Sequence, residues 1–149
     1  MKAIRLALLT MATLTALAPA RAGENPIDAL QGTWIADYVE KSEVPIPPEL
    51  ANVRFTFKGD KLFISQRGGA EKEHKFVIDT KKSPRHFDIA APGEKAVKGI
   101  YELKKGELTL CVQHGDGDRP TAFATKEDDF GLVLLIFKKQ MPKKDKQEK

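Results

Sequence analysis

Val53-Arg54-Phe55-Thr56-Phe57-Lys58-Gly59-Asp60-Lys61-Leu62-Phe63-Ile64 decides the fold class. Val53, Phe55 and Phe57 alternate with Arg54, Thr56 and Lys58. Gly59-Asp60 then turns the chain, and Leu62 and Ile64 return to the apolar face, which makes a β-hairpin with one side buried. Working outward, the same period of two recurs along most of the chain, and no long stretch repeats at helical spacing. Upstream, a first strand runs from Gly32 to about Lys41 with Trp34, Ala36 and Tyr38 on one face. Between it and the hairpin, Val44-Pro45-Ile46-Pro47-Pro48 is short of N–H donors and is predicted to be an extended loop, followed by a helical turn at Glu49-Leu50. Downstream, Arg67-Gly68-Gly69-Ala70 turns into a fourth strand where His74, Phe76 and Ile78 alternate with Glu73, Lys75 and Val77. Pro84 closes the next loop. Phe87 and Ile89 mark a fifth strand and Gly99 to Leu103 a sixth. Lys104-Lys105-Gly106 leads to a seventh, in which Leu108, Leu110 and Val112 alternate with Thr109 and Cys111.

The last strand, Phe130 to Phe137, is apolar on both faces, so something must cover its outside as well. Eight short strands joined by short turns predict an all-β fold, a small eight-stranded antiparallel up-and-down barrel whose closure removes both sheet edges. A two-sheet sandwich is the alternative. Trp34, Phe55, Phe57, Phe76 and Tyr101 are bulky inward residues, so any cavity in such a barrel is expected to be small.

The ends of the chain read differently. Lys2 and Arg5 precede an uncharged apolar run from Leu6 to Ala18, and Ala20-Arg21-Ala22 has the small-x-small form of a cleavage site. Residues 1–22 are therefore expected to be a signal peptide, residues 23–137 the barrel and residues 138–149 a charged, disordered tail. The apolar run falls short of the roughly 20 residues that span a bilayer, and no later segment is longer, so no membrane span is expected. Export to the periplasm or the extracellular space follows. Of the 149 residues, 25 are Lys or Arg and 21 are Asp or Glu. Lys2, Arg5 and Arg21 leave with the leader, and most of the remaining positive excess is in the tail. A nucleic-acid partner is not expected, since the body has no clustered basic face. Cys111 is the sole cysteine, so no disulfide staples the fold within one chain.

Leu30-Gln31-Gly32-Thr33-Trp34 looks like the Gly-x-Trp signature that opens lipocalin and related barrels. With Phe57-Lys58-Gly59-Asp60-Lys61, Pro84, Asp88-Ile89, Gly99-Ile100-Tyr101-Glu102-Leu103, Leu108-Thr109-Leu110-Cys111 and Arg119-Pro120-Thr121-Ala122-Phe123, in that order, the chain resembles an uncharacterised lipocalin-like domain family known mainly from planctomycetes. The resemblance implies an exported lipocalin-like barrel and no assigned activity. Such barrels tend to end on an arginine that packs over the opening tryptophan. Here Lys138-Lys139 takes that place, and lysine does not stack as a guanidinium does.

The chemistry-bearing residues are few. Arg119, after the flexible stretch Gln113 to Asp118, is either a cationic rim for an anionic ligand, with Phe123 as an apolar wall, or a structural partner for a carboxylate. Cys111 is either a reactive thiol or a small buried hydrophobe; its phase turns it outward, away from Leu110 and Val112. His74, His86 and His114 with Cys111, Asp116 and Asp118 lack paired metal-ligand spacing, and no metal or cofactor is expected. Asp79, Asp88 and Glu102 are the carboxylates that acid/base chemistry would need to bring together, but no catalytic motif is present and no enzyme is expected. Val44 to Pro48 is either a lid on the open end or an ordinary covering loop. The expected partner is a small apolar or amphipathic ligand in the barrel, with Trp34 at the floor and Tyr101, Arg119 and Phe123 among the lining or rim. The alternative is a filled barrel that binds a protein through its outer surface, favoured by the two apolar faces of the last strand.

Overall fold

From the N-terminus, residues 25–90 and 92–142 described by this computed structural model form a 3-10 turn at Asp28–Leu30, β1 (Gly32–Lys41), β2 (Val44–Ile46), a one-turn helix α1 (Pro48–Ala51), β3 (Arg54–Lys58), β4 (Lys61–Ser65), β5 (Lys72–Asp79), β6 (Arg85–Ala90), β7 (Val97–Lys104), β8 (Glu107–Gln113) and β9 (Leu132–Lys139). Every pairing is antiparallel. Strands β3 to β9 follow one another in chain order, and β1 pairs with both β3 and β9, so eight strands close into a barrel with β2 as one extra strand. The expected signal peptide lies outside the described residues. No helix among the described residues is long and apolar enough to cross a membrane.

Three details depart from the sequence reading. Val44–Ile46 is a strand rather than a loop, because it adds to the far half of β1 as an edge, with Pro45 opposite Glu40. An edge strand tolerates a missing N–H. Next, β1 carries a bulge: Ala36 pairs with Phe137 but Tyr38 with Ile136. The extra residue, Asp37, shifts the alternation, so Trp34, Ala36 and Val39 face the interior whereas Tyr38 packs on an outer cluster. Finally, β9 runs on to Lys139, so Lys138-Lys139 belongs to the barrel and not to a tail.

The Gly-x-Trp signature has a physical reading. Gly32 has φ +108°, and a Cβ there would lie 3.3 Å from Lys139 Cε. Glycine therefore serves both the backbone conformation and the passage of the lysine stem. Lys139 Nζ lies 5.4 Å from the centre of the Trp34 ring, and the indole N–H donates to the Leu30 carbonyl at 2.7 Å. A lysine thus closes the barrel over Trp34 as a cation on an aromatic face.

Around Trp34 the interior is filled. Phe137, Phe55, Phe57, Phe76, Phe87 and Tyr101 form a continuous aromatic layer with successive ring centres 4.6 to 6.3 Å apart. Each fully buried ring contributes roughly 1.5–3 kcal/mol. Outside the barrel a second cluster, Ile100, Cys111, Leu132 and Leu134 with Tyr38 and Phe123, lies under the segment from His114 to Phe130. This strap accounts for the apolar outer face of β9. Over Leu132 and Leu134 the cover is the protein's own chain.

Candidate functional site

The other half of the barrel is hollow. A cavity of about 590 Å³ opens at the end where β2 and α1 lie. Its size contradicts the expected small cavity, because the aromatic side chains gather in one layer and leave the rest of the barrel to shorter ones. Phe55 belongs to its floor. Val39, Val112, Val133 and Leu135 make a smooth aliphatic wall on β1, β8 and β9, with Ile89 and Val97 beside them on β6 and the start of β7. Ile46 of β2, Leu50 and Ala51 of α1, and Val53 shape the mouth. Of the segment Val44 to Pro48, Ile46 thus borders the open end, and the segment is an edge strand leading into a helical turn.

Polar groups enter this cup at few places. Gln66, Arg67 and His74 come from β5 and the turn that precedes it; Glu94 and Lys95 from the β6–β7 loop; His114 from the end of β8. Leu62 pairs with His74 and Ile64 with Lys72, so the inward phase of β5 that carries Phe76 also carries His74, one step nearer the mouth. His74 Nδ1 is buried without a hydrogen-bond partner. Buried polar atoms are nearly always paired, so this one calls for an explanation. The His114 imidazole is held below its ordinary range, first by burial and then by the nearby charge of Lys41. Lys95 pairs with Asp116 outside the cup. Arg67 is in no ion pair among the described residues and has φ +52°. Its backbone N–H donates to the Ala51 carbonyl at 3.2 Å, which ties the turn to α1.

No protein-family model, curated protein or solved structure matches the chain. The site's own geometry defines what it can hold.

That geometry separates the four residues expected at a ligand cavity. Trp34, 1% exposed, lies beneath the aromatic layer and does not line the cup. Tyr101 and Phe123 meet instead in a groove of about 280 Å³ beside Lys82, Arg85 and Lys104, at the Pro84 loop. Burial raises the phenol of Tyr101 above its ordinary range. Arg119 lines neither space. Its guanidinium grips the Asp88 carboxylate with both nitrogens and also donates to the Gly99 carbonyl at 2.7 Å. Of its two readings the structural one holds, because a fixed planar fork matches a carboxylate and the grip anchors the strap to β6 and β7.

The remaining groups are also accounted for locally. Cys111 faces outward beneath the strap, 0% exposed, and its thiol donates to the Ala124 carbonyl. Burial pushes this thiol up to about 11. Asp79 accepts from the Lys81 N–H, Glu102 pairs with Lys104, and Asp88 is held by Arg119, so the carboxylates do not gather. Among the described residues no three metal-ligating side chains come together. Of the cup-lining residues, Val112 was visible in the sequence as an inward apolar position, and Val133 and Leu135 only as members of a strand apolar on both faces. His74 carried a clearer signal, a titratable residue in the inward phase of a strand.

Proposed function

We propose that the chain is an exported binding protein that holds a small, largely apolar or amphipathic ligand in the cup at the β2–α1 end. The single observation that carries this reading is the cavity of about 590 Å³, apolar on its walls, floored by aromatic rings and open at one end. Ligand sites are mostly apolar concavities of roughly 300–1,000 Å³ with a few placed polar groups. A cavity that served packing alone would be a defect, since empty apolar space costs stability. The leader-like residues 1–22 and the resemblance to exported lipocalin-like domains are in keeping with it.

The test is direct. The chain from Gly23 onward is mixed with Nile red, a neutral apolar dye, and also sprayed under native conditions after purification from an exported fraction. The expected result is a one-to-one dye complex, or a small molecule released from the purified protein. A protein that carries nothing and leaves the dye in water would overturn the carrier reading.

A further inference from the structure

The polar groups of the cup are not scattered, and their placement points to one class of ligand. The wall made by β1, β8 and β9 is aliphatic, whereas Gln66, Arg67 and His74 share the opposite wall along β4, its turn and β5. We propose that the cup takes a carboxylate-headed amphiphile, with the head group on Arg67 and His74 and the tail against Val39, Val112, Val133 and Leu135. This rests on the reading of the cup as a binding site and names what that site selects.

His74 supplies a donor. Its Nδ1 is buried and bonded to no group of the protein, so the ring is not held by a protein partner at that nitrogen. The imidazole lines the cup, and an N–H that it presents there meets an oxygen acceptor. Arg67 supplies a cation that no carboxylate of the described residues already occupies. It is held in the left-handed region at φ +52°, a conformation that costs a non-glycine residue energy and gathers at binding sites. A guanidinium beside an N–H donor matches the two oxygens of a carboxylate. A monoanion fits better than a phosphate, because Lys95 is already paired with Asp116, which leaves the single charge of Arg67 to the ligand and Glu94 to repel a second negative charge.

The experiment compares dodecanoate with methyl dodecanoate, which keeps the tail and removes the charge, by displacement of bound Nile red. Dodecanoate is expected to bind more tightly by about tenfold or more, the size of one charge-assisted hydrogen bond. In Arg67→Gln and His74→Leu the preference is expected to fall below about threefold while the ester binds as before. Arg67 is exposed, so Arg67→Gln reads the head group even if His74→Leu fails to fold. Equal binding of acid and ester by the unaltered protein, or a preference kept in Arg67→Gln, overturns the head-group assignment and leaves the cup standing. If acid, ester and dye all fail to bind, the cup reading itself falls.

Discussion

Cys111 shows how a residue with chemical potential is withheld from chemistry. It sits among Ile100, Leu132 and Leu134, its thiol bonded to a backbone carbonyl, and burial raises it to about 11 against 9.0 for an ordinary thiol. Because the thiolate is the reactive species, native Cys111 is expected to react with a disulfide reagent at pH 8 at least about a hundredfold more slowly than the same protein in denaturant. A raised acid group favours the folded state while it stays protonated. That contribution is complete below pH 9 and is lost as pH rises toward about 11, so the denaturation midpoint should fall across this window. Rapid native labelling at pH 8 would show that the thiol is not shielded. The sequence revealed the outward phase of Cys111 and the solvent-averse face of the last strand. It did not reveal the cover, because burial of an outer face depends on a segment that pairs with nothing.

The element that supplies the cover is the strap from His114 to Phe130. It has no periodicity of its own, which is why the sequence shows only turn residues there. Side-chain anchors fix it instead: Arg119 on Asp88 and Gly99, Gln113 bonded to Asp129, and Thr125, whose hydroxyl donates to Glu40 and accepts from the Glu43 N–H. Gly117 and Gly131 crowd Gln113 so closely that a Cβ at either would lie within 3 Å of its amide. The Glu40 carboxyl is held below its ordinary range by its bonds from Thr125 and Tyr38. Removing the strongest anchor tests the whole element. Arg119→Ala leaves Asp88 unpaired on a half-buried face and is expected to cost about 1.5–3 kcal/mol in a urea titration. It should also speed the labelling of Cys111, whereas Lys58→Ala, at an exposed site in the β3–β4 hairpin, should not. Arg119→Lys is expected to restore little, since one ammonium cannot reproduce a two-nitrogen grip. Unchanged labelling in Arg119→Ala would mean that the strap is held without Arg119. The other elements were more legible. Alternation located most of the barrel strands and a continuous apolar run the last, while the Asp37 bulge and the pairing of β2 escaped because neither leaves a period of two: a bulge shifts the phase, and prolines masked an edge that tolerates them.

At the scale of the molecule, one barrel contains two halves with opposite packing. The sequence supported closure, since short antiparallel strands with one apolar face have few other ways to remove their edges. It did not support the hollow, because inward positions read alike whether their side chains meet or stop short, and the aromatic residues could only be counted, not placed. In three dimensions they form a layer, with Phe76 and Phe87 stacked 5.7 Å apart, and the β2–α1 end is left to valine, leucine and isoleucine. The two halves should therefore respond to volume in opposite directions. Phe87→Ala opens a void in the filled half and is expected to cost about 3–5 kcal/mol without touching the cup. Val133→Phe adds volume where there is open space and is expected to change stability by less than about 1 kcal/mol, in contrast to the usual penalty for overpacking a filled core. The same variant should weaken or abolish dye binding, since its ring would stand in the cup. Chemical denaturation with dye titration on both variants checks the pair. A Val133→Phe protein as destabilised as Phe87→Ala would show that the β2–α1 end is packed rather than hollow. A stable one that still binds dye would place the ligand elsewhere, because a ligand seated between Val112 and Leu135 cannot share that space with an added ring.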